Sequence, residues 1–231
     1  MSRRTLIIVI CWIVAFGGAL ALDRPIANYS RTHGLEKPQS KRAEKSSPAD
    51  LPRPSWTAGT YRFAEIVKFP GVYWTTVIIA IGVFVVHREH GRAAAIVALT
   101  GLLASANHLI KWSVGRHRPV TGADPFDLNP FVGGLQGLFG AEANLSFPSG
   151  HASLAFANAA ALALLLPRWR WVFYIVATAT AVERILENAH FASDCVAGAA
   201  LGIGCAHLAY WAVRRVARKT DTPVAIQPAS N

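Results

Sequence analysis

Glu183-Arg-Ile-Leu-Glu-Asn-Ala-His-Phe-Ala-Ser-Asp194 is a polar island between long apolar runs. If the part from His190 onward is helical, His190 and Asp194 stand one turn apart on one face. An aspartate there holds one ring nitrogen of the imidazole and leaves the other free to attack or to exchange a proton. Arg184 lies six positions before His190, the wrong angle for one continuous helix. A helix end or kink is therefore expected near Glu187-Asn188, bringing Arg184 and His190 together from two elements. A polar cluster that only glues helices is the competing reading. Ionisable groups beside apolar spans favour function over glue.

The 231 residues are 52% hydrophobic and only 16% charged, against about 25% charged in ordinary soluble domains. The apolar residues gather into runs of bilayer length, so one membrane domain is expected. The net charge of +10 does not point to nucleic acid. Many basic residues flank the apolar runs, where head groups and topology account for them. Others lie near His151 and His190 and suit an anionic substrate. The three cysteines, Cys11, Cys195 and Cys205, have no metal-type spacing and sit in apolar runs, as small buried hydrophobes would.

Residues 1–22 read as a first span behind Arg3 and Arg4, with a cleavable signal peptide as the alternative. Residues 23–63 read as a polar extracytoplasmic loop ending in an interfacial segment. Its aromatic residues, with those just beyond it, are Trp56, Tyr61, Phe63, Phe69, Tyr73 and Trp74. A membrane core over 64–219 and a polar tail over 220–231 complete the chain. Spans in the core are expected at about 72–86, 93–112, 149–166, 171–186 and 194–213. His87 and His90 belong to a solvated basic turn rather than a metal site. With six spans, Arg3/Arg4, Arg88/Arg92, Arg168/Arg170 and the cluster from Arg214 share one side, the cytoplasmic one. The polar clusters then share the opposite side.

The first of these is Lys111-Trp-Ser-Val-Gly-Arg-His-Arg-Pro119, where Lys111 and Arg118 put two cations at a helix end and Pro119 stops the chain from continuing it. Asn107, one turn earlier, faces the same way, while His108 and His117 read as structural. The second is Phe147-Pro-Ser-Gly-His151. A turn opening a helix presents N–H groups at the positive end of the dipole, which suits a phosphate. Ser149 adds a hydroxyl, Gly150 lets an oxygen approach closely, and His151 is placed to protonate a leaving oxygen.

Taken together, Lys-x6-Arg-Pro (Lys111, Arg118, Pro119), Pro-Ser-Gly-His (148–151) and Arg-x5-His-x3-Asp (Arg184, His190, Asp194) closely resemble the type 2 phosphatidic acid phosphatase family. The resemblance covers about residues 93–213. It implies an all-α, six-transmembrane-helix bundle of the kind shared with vanadium haloperoxidases, and hydrolysis through a phosphohistidine without metal or other cofactor. Carried over, His190 is the nucleophile, Asp194 its orienting partner and His151 the general acid. Lys111, Arg118 and Arg184 clamp the phosphate with Ser149 and the Gly150 N–H. One departure stands out: the family's third motif begins Ser-Arg, and this chain has Glu183-Arg184. An ionised carboxylate cannot donate to phosphate, so Glu183 points away or pairs with a neighbouring cation.

The implied partners are the bilayer and a lipid phosphate or pyrophosphate, met at the extracytoplasmic face of a bacterial cytoplasmic membrane. Phosphatidic acid, phosphatidylglycerophosphate, a polyprenyl pyrophosphate and a lipid A phosphate all fit. The apolar, Gly-rich stretch 124–145 reads as a flap that meets an acyl or prenyl chain. A phosphotransferase using the same phosphohistidine and a non-catalytic binder or transporter of anionic lipid are the alternatives.

Overall fold

The computed structural model describes residues 2–33, 66–87, 89–132, 134 and 145–220, and among them every regular element is helical. The long helices are α1 (Arg3–His33), α2 (Tyr73–Val86), α3 (His90–Ala104), α4 (Asn107–Val114), α5 (Gly150–Leu165), α6 (Arg170–Leu186) and α7 (Ala192–Thr220). Three apolar stretches are long enough to cross a membrane: α1, α3 with α4, and α7. Helices α2 and α5 are apolar but shorter. The architecture is the expected all-α bundle.

The expected span at 93–112 is broken in two. Ser105 and Ala106 fall between α3 and α4, and the Ser105 hydroxyl donates back to the Gly101 carbonyl at 3.1 Å, a bond that bends helices. The larger departure is in α1. A polar loop was expected from residue 23, yet α1 continues through His33, past Pro25. Asp23, Ala27 and Ser30 are buried at 0%, 7% and 4% exposure. Their spacing makes one helical stripe, and this stripe docks on α6 and α7. No residue in the apolar half of α1 is buried, as in a lipid-facing helix, and Phe16 meets the edge of the Phe147 ring at 6.2 Å. Cys11 lies there, exposed, while Cys195 and Cys205 are buried as expected. The loop residues beyond His33, Trp56, Tyr61, Phe63, Arg88, the 135–144 part of the expected flap with Glu142, and the tail from residue 221 lie outside the described residues.

Helix α5 is the centre. It packs on α6 and α7, and α3 also lies against it. Its buried side chains are mostly alanines, among them Ala152, Ala155, Ala157, Ala160 and Ala161, which let backbones come close where apolar driving force is weak. On α7, a Cβ at Gly202 would fall 2.1 Å from the Ser153 carbonyl oxygen. Only glycine fits there.

The two ends of the bundle differ. At one end Arg92, in the first turn of α3, shares a pocket with Arg214, Arg215 and Arg218 of α7, and Arg214 pairs with Glu89 at 2.9 Å. The close of α4, the start of α5 and the α6–α7 junction lie at the other. There a short turn at Phe69–Gly71 is stitched on by Asn158 donating to Pro70 O at 3.3 Å and Thr180 donating to Val67 O at 2.7 Å. Phe69, Tyr73 and Trp74 around it are exposed, where interfacial rings belong.

Replacing Gly202 by alanine should lower thermal stability in detergent by about 1–3 kcal/mol through overpacking. Gly204→Ala, whose Cβ meets open space, should leave the melting temperature unchanged or raise it. Equal melting curves for the two variants would contradict the packing described.

Candidate active site

The helix break expected near Glu187 is present. Helix α6 ends at Leu186, and Asn188 adopts a left-handed φ of 53°, a conformation asparagine tolerates at helix ends. The chain then turns through His190 into α7. Asp194 occupies the first turn of α7, and its Oδ2 accepts the Phe191 N–H at 2.8 Å. This is half of a capping box, with the carboxylate at the positive end of the helix dipole.

His190 is 3% exposed. Its Nδ1 lies 2.9 Å from the Ser146 carbonyl oxygen and 3.8 Å from Asp194 Oδ2. A carbonyl only accepts, so Nδ1 carries the proton and Nε2 keeps its lone pair. Asp194 is thus one turn from His190 as expected, but the nearer acceptor is Ser146. The Ser146 hydroxyl donates to Asp194 Oδ2, so the carboxylate lies beside the ring as a charge and is linked to it through Ser146. Burial, followed by the Lys111 and Arg118 cations, outweighs the pull of Asp194 and pushes His190 down to about 4.

The two expected cations of the first motif meet at the residue before Ser146. Lys111 Nζ and Arg118 Nε donate to the Leu145 carbonyl at 3.3 and 3.2 Å. Arg118 is pushed below the usual arginine range, by burial first and by the Arg184 cation next. Such crowding of like charge makes the place favourable for an anion. Gly115 makes the geometry possible. It closes α4 with φ 66°, and a Cβ there would fall 1.7 Å from the Asn129 carbonyl oxygen.

The Pro-Ser-Gly-His turn opens α5. Ser149 caps the helix by accepting the Ala152 N–H at 3.4 Å, and its own N–H donates to the Asp194 carbonyl at 3.0 Å. It is fully buried, with its hydroxyl against the Cys195 thiol. Gly150 lies against Asn107, whose amide would be 2.8 Å from an added Cβ; Asn107 Oδ1 is buried without a partner. His151 is half-buried, within electrostatic reach of Arg184, His190, Lys68 and Arg118.

Arg184 is not free. Its Nε and Nη2 each donate to Glu183 at 2.6 Å, and Nη2 also donates to Glu187. Of the two fates open to Glu183, it pairs with a cation, its own neighbour.

Sequence reasoning missed four groups. Lys68 comes near His151 from the short turn before α2. Ser146 bridges the histidine and the aspartate. Arg116, inside the first motif, donates Nη1 to Asp194 Oδ1 at 2.5 Å and Nη2 to Asp23 Oδ2 at 2.7 Å. Asp23 arrives from α1, and the signal for it was the i, i+4, i+7 stripe with Ala27 and Ser30. Among the described residues, no three His, Cys, Asp or Glu side chains gather as a metal would require.

The sequence matches the PAP2 superfamily over residues 90–218. It is 40% identical to the lipid A 1-phosphatase of Rhizobium etli over 108 residues, 46% of this chain and 42% of that protein. It is 43% identical to the lipid A 1-phosphatase of Porphyromonas gingivalis over 70 residues, 29% of this chain and 16% of that protein. The chain thus spans less than half the length of the curated relatives it matches. In fold it is similar to the first transmembrane PAP2 type phosphatidylglycerolphosphate phosphatase from Bacillus subtilis. The TM-score is 0.51 at 18% identity, covering 94% of this chain and 98% of that one.

If Glu187 competes with a bound oxyanion for Arg184, Glu187→Gln should bind orthovanadate severalfold more tightly than the wild type. Titration calorimetry in detergent measures this, and weaker binding by the variant would show that Glu187 holds Arg184 in place for the anion instead.

Proposed function

The chain belongs to the PAP2 superfamily, which matches more than half its length, and we propose that it is a membrane enzyme removing the 1-phosphate of lipid A, or of a closely similar acylated sugar phosphate, through a phosphohistidine. The activity and the substrate are taken from the two lipid A 1-phosphatase relatives, which the chain covers only in part. The site lies on the extracytoplasmic face of the cytoplasmic membrane. This orientation is supported by the basic residues gathered at the far end of the bundle.

One observation carries the mechanism. The backbone of Leu145 and Ser146 receives Lys111 and Arg118 on one carbonyl and His190 on the next. The two cations and the imidazole therefore converge on one spot. There, the phosphate oxygens replace Leu145 O as acceptors for Lys111 and Arg118, and Arg184 shares them with its two glutamates. His190 Nε2 attacks phosphorus, a P–N bond forms and the P–O bond to the sugar breaks. The oxygen leaves with a proton from His151. Attack makes the His190 ring cationic, with Nδ1–H held by Ser146 O and the Asp194 charge beside it. Water, deprotonated by His151, then attacks phosphorus on the side away from His190; the P–O bond forms as the P–N bond breaks, its electron pair returns to Nε2, and inorganic phosphate leaves. Fixed positive charge carries the phosphoryl group through both steps.

Purified protein with chelator present should release phosphate from lipid A, and His190→Ala should release none. Phosphate release that needs added divalent metal, or that survives His190→Ala, would overturn the mechanism. Faster release from phosphatidic acid or a polyprenyl pyrophosphate than from lipid A would overturn the substrate but not the chemistry.

A second prediction concerns pH. His190 attacks only when neutral, and its place in the site holds it down to about 4 rather than the ordinary value of about 6.5. Activity is therefore retained through pH 6 and lost as pH falls through about 4. The acid limb of kcat/KM reports this group in the free enzyme; a limb near the ordinary histidine value would contradict it.

A further inference from the structure

Asp23 has no part in the motifs, lies outside the family match at 90–218, and comes from a helix whose first half has no buried residue. Yet it is fully buried. Its Oδ1 accepts the Ser193 N–H at 2.9 Å, and its Oδ2 accepts Arg116 Nη2 at 2.7 Å and the Ser193 hydroxyl at 2.5 Å. Arg116 is equally buried. Its Nη1 donates to Asp194 Oδ1 and to the Ser193 hydroxyl at 2.5 and 2.7 Å, its Nε to Pro125 O at 2.7 Å, and its guanidinium lies 4.4 Å over the Phe191 ring. Two carboxylates therefore share one guanidinium. With Asp194 as its only anion, Arg116 would neutralise the carboxylate that faces the imidazole. With Asp23 on its other side, the group keeps a net negative charge next to His190.

We propose that Asp23 is a positioning residue for the phosphoryl-transfer step: by sharing Arg116 it leaves Asp194 charged toward His190 and fixes that carboxylate in place. This rests on the phosphohistidine reading above. The first helix is then part of the catalytic apparatus as well as a membrane element. Two further contacts hold it to the same loop, Arg24 to Asp124 at 2.5 Å and Arg31 Nη2 to Pro119 O at 3.3 Å. Asp23 touches no substrate and acts only through Arg116 and Asp194.

The test is a double-mutant cycle on the full chain in detergent, with wild type and His190→Ala alongside. Asp23→Asn keeps the shape and removes the charge. It should lower kcat by about 10- to 100-fold, the size of effect seen for groups that orient a metal-bound histidine, while KM and orthovanadate affinity stay near wild type. Arg116→Gln strands two buried carboxylates and should also lose kcat. The double variant restores a single negative charge beside His190, so its kcat should exceed that of either single variant. A tether that only holds α1 down predicts losses that add, or a fall in vanadate affinity; either result overturns the proposal, as does wild-type kcat in Asp23→Asn. If Asp23→Asn does not fold, the double variant against Arg116→Gln decides alone, and a lower kcat in the double overturns it. A wild type without turnover, or turnover surviving His190→Ala, ends the phosphohistidine reading itself.

Discussion

A charge taken out of water has to find a partner or give up its proton. In this bundle that demand falls on Arg116 as well as on Arg184, and it is Arg116 that joins distant parts of the chain. Arg116 is enclosed by a carboxylate on either side, a carbonyl and an aromatic face. These four partners come from three parts of the chain: the far half of α1, the loop after α4, and the start of α7. Removing one member of such a buried set typically costs about 3–5 kcal/mol, because the charge left behind stays buried without its partner, so the three parts depend on one another's presence. The helices behind them are lined with alanine and glycine, which set distance but select weakly for register.

The same constraint explains the odd third motif. Lys111, Arg118 and Arg184 are crowded at one end of the bundle, where like charges repel. Each has a partner that offsets this. Lys111 and Arg118 lean on a backbone carbonyl, and Arg184 sits between Glu183 and Glu187. A glutamate where the family has serine thus stands as a counterion to the arginine beside it. It needs no hydrogen bond of its own to substrate.

What could be read from the sequence follows from what a local pattern can encode. The helices of the core, the break after Leu186, the one-turn relation of His190 to Asp194 and the meeting of Lys111 with Arg118 are set by spacing along short segments. The contributions of Ser146 and Asp23 are not. Ser146 precedes the Pro-Ser-Gly-His turn and looks like loop. Its role exists only because the loop runs beneath His190. Asp23 follows an apolar run and precedes a proline and several polar residues, so composition places it in solvent. Its burial depends on Arg116, a residue 93 positions away. Arg116 itself was in view inside the first motif, between two more familiar cations, and nothing local distinguishes a cation that faces a ligand from one that faces a buried acid.

The uneven attachment of α1 divides it into two stretches under different selective pressure. The stretch before Asp23 meets only surroundings that reward oiliness, so among descendants of this sequence it is free to drift, exchanging leucine, isoleucine, valine and phenylalanine with little penalty. The stretch from Asp23 to Arg31 is locked to partners at 116, 119, 124 and 193. A change there survives only when a matching change arises far along the chain. A lineage that loses Asp23 would therefore be expected to lose or replace Arg116 as well.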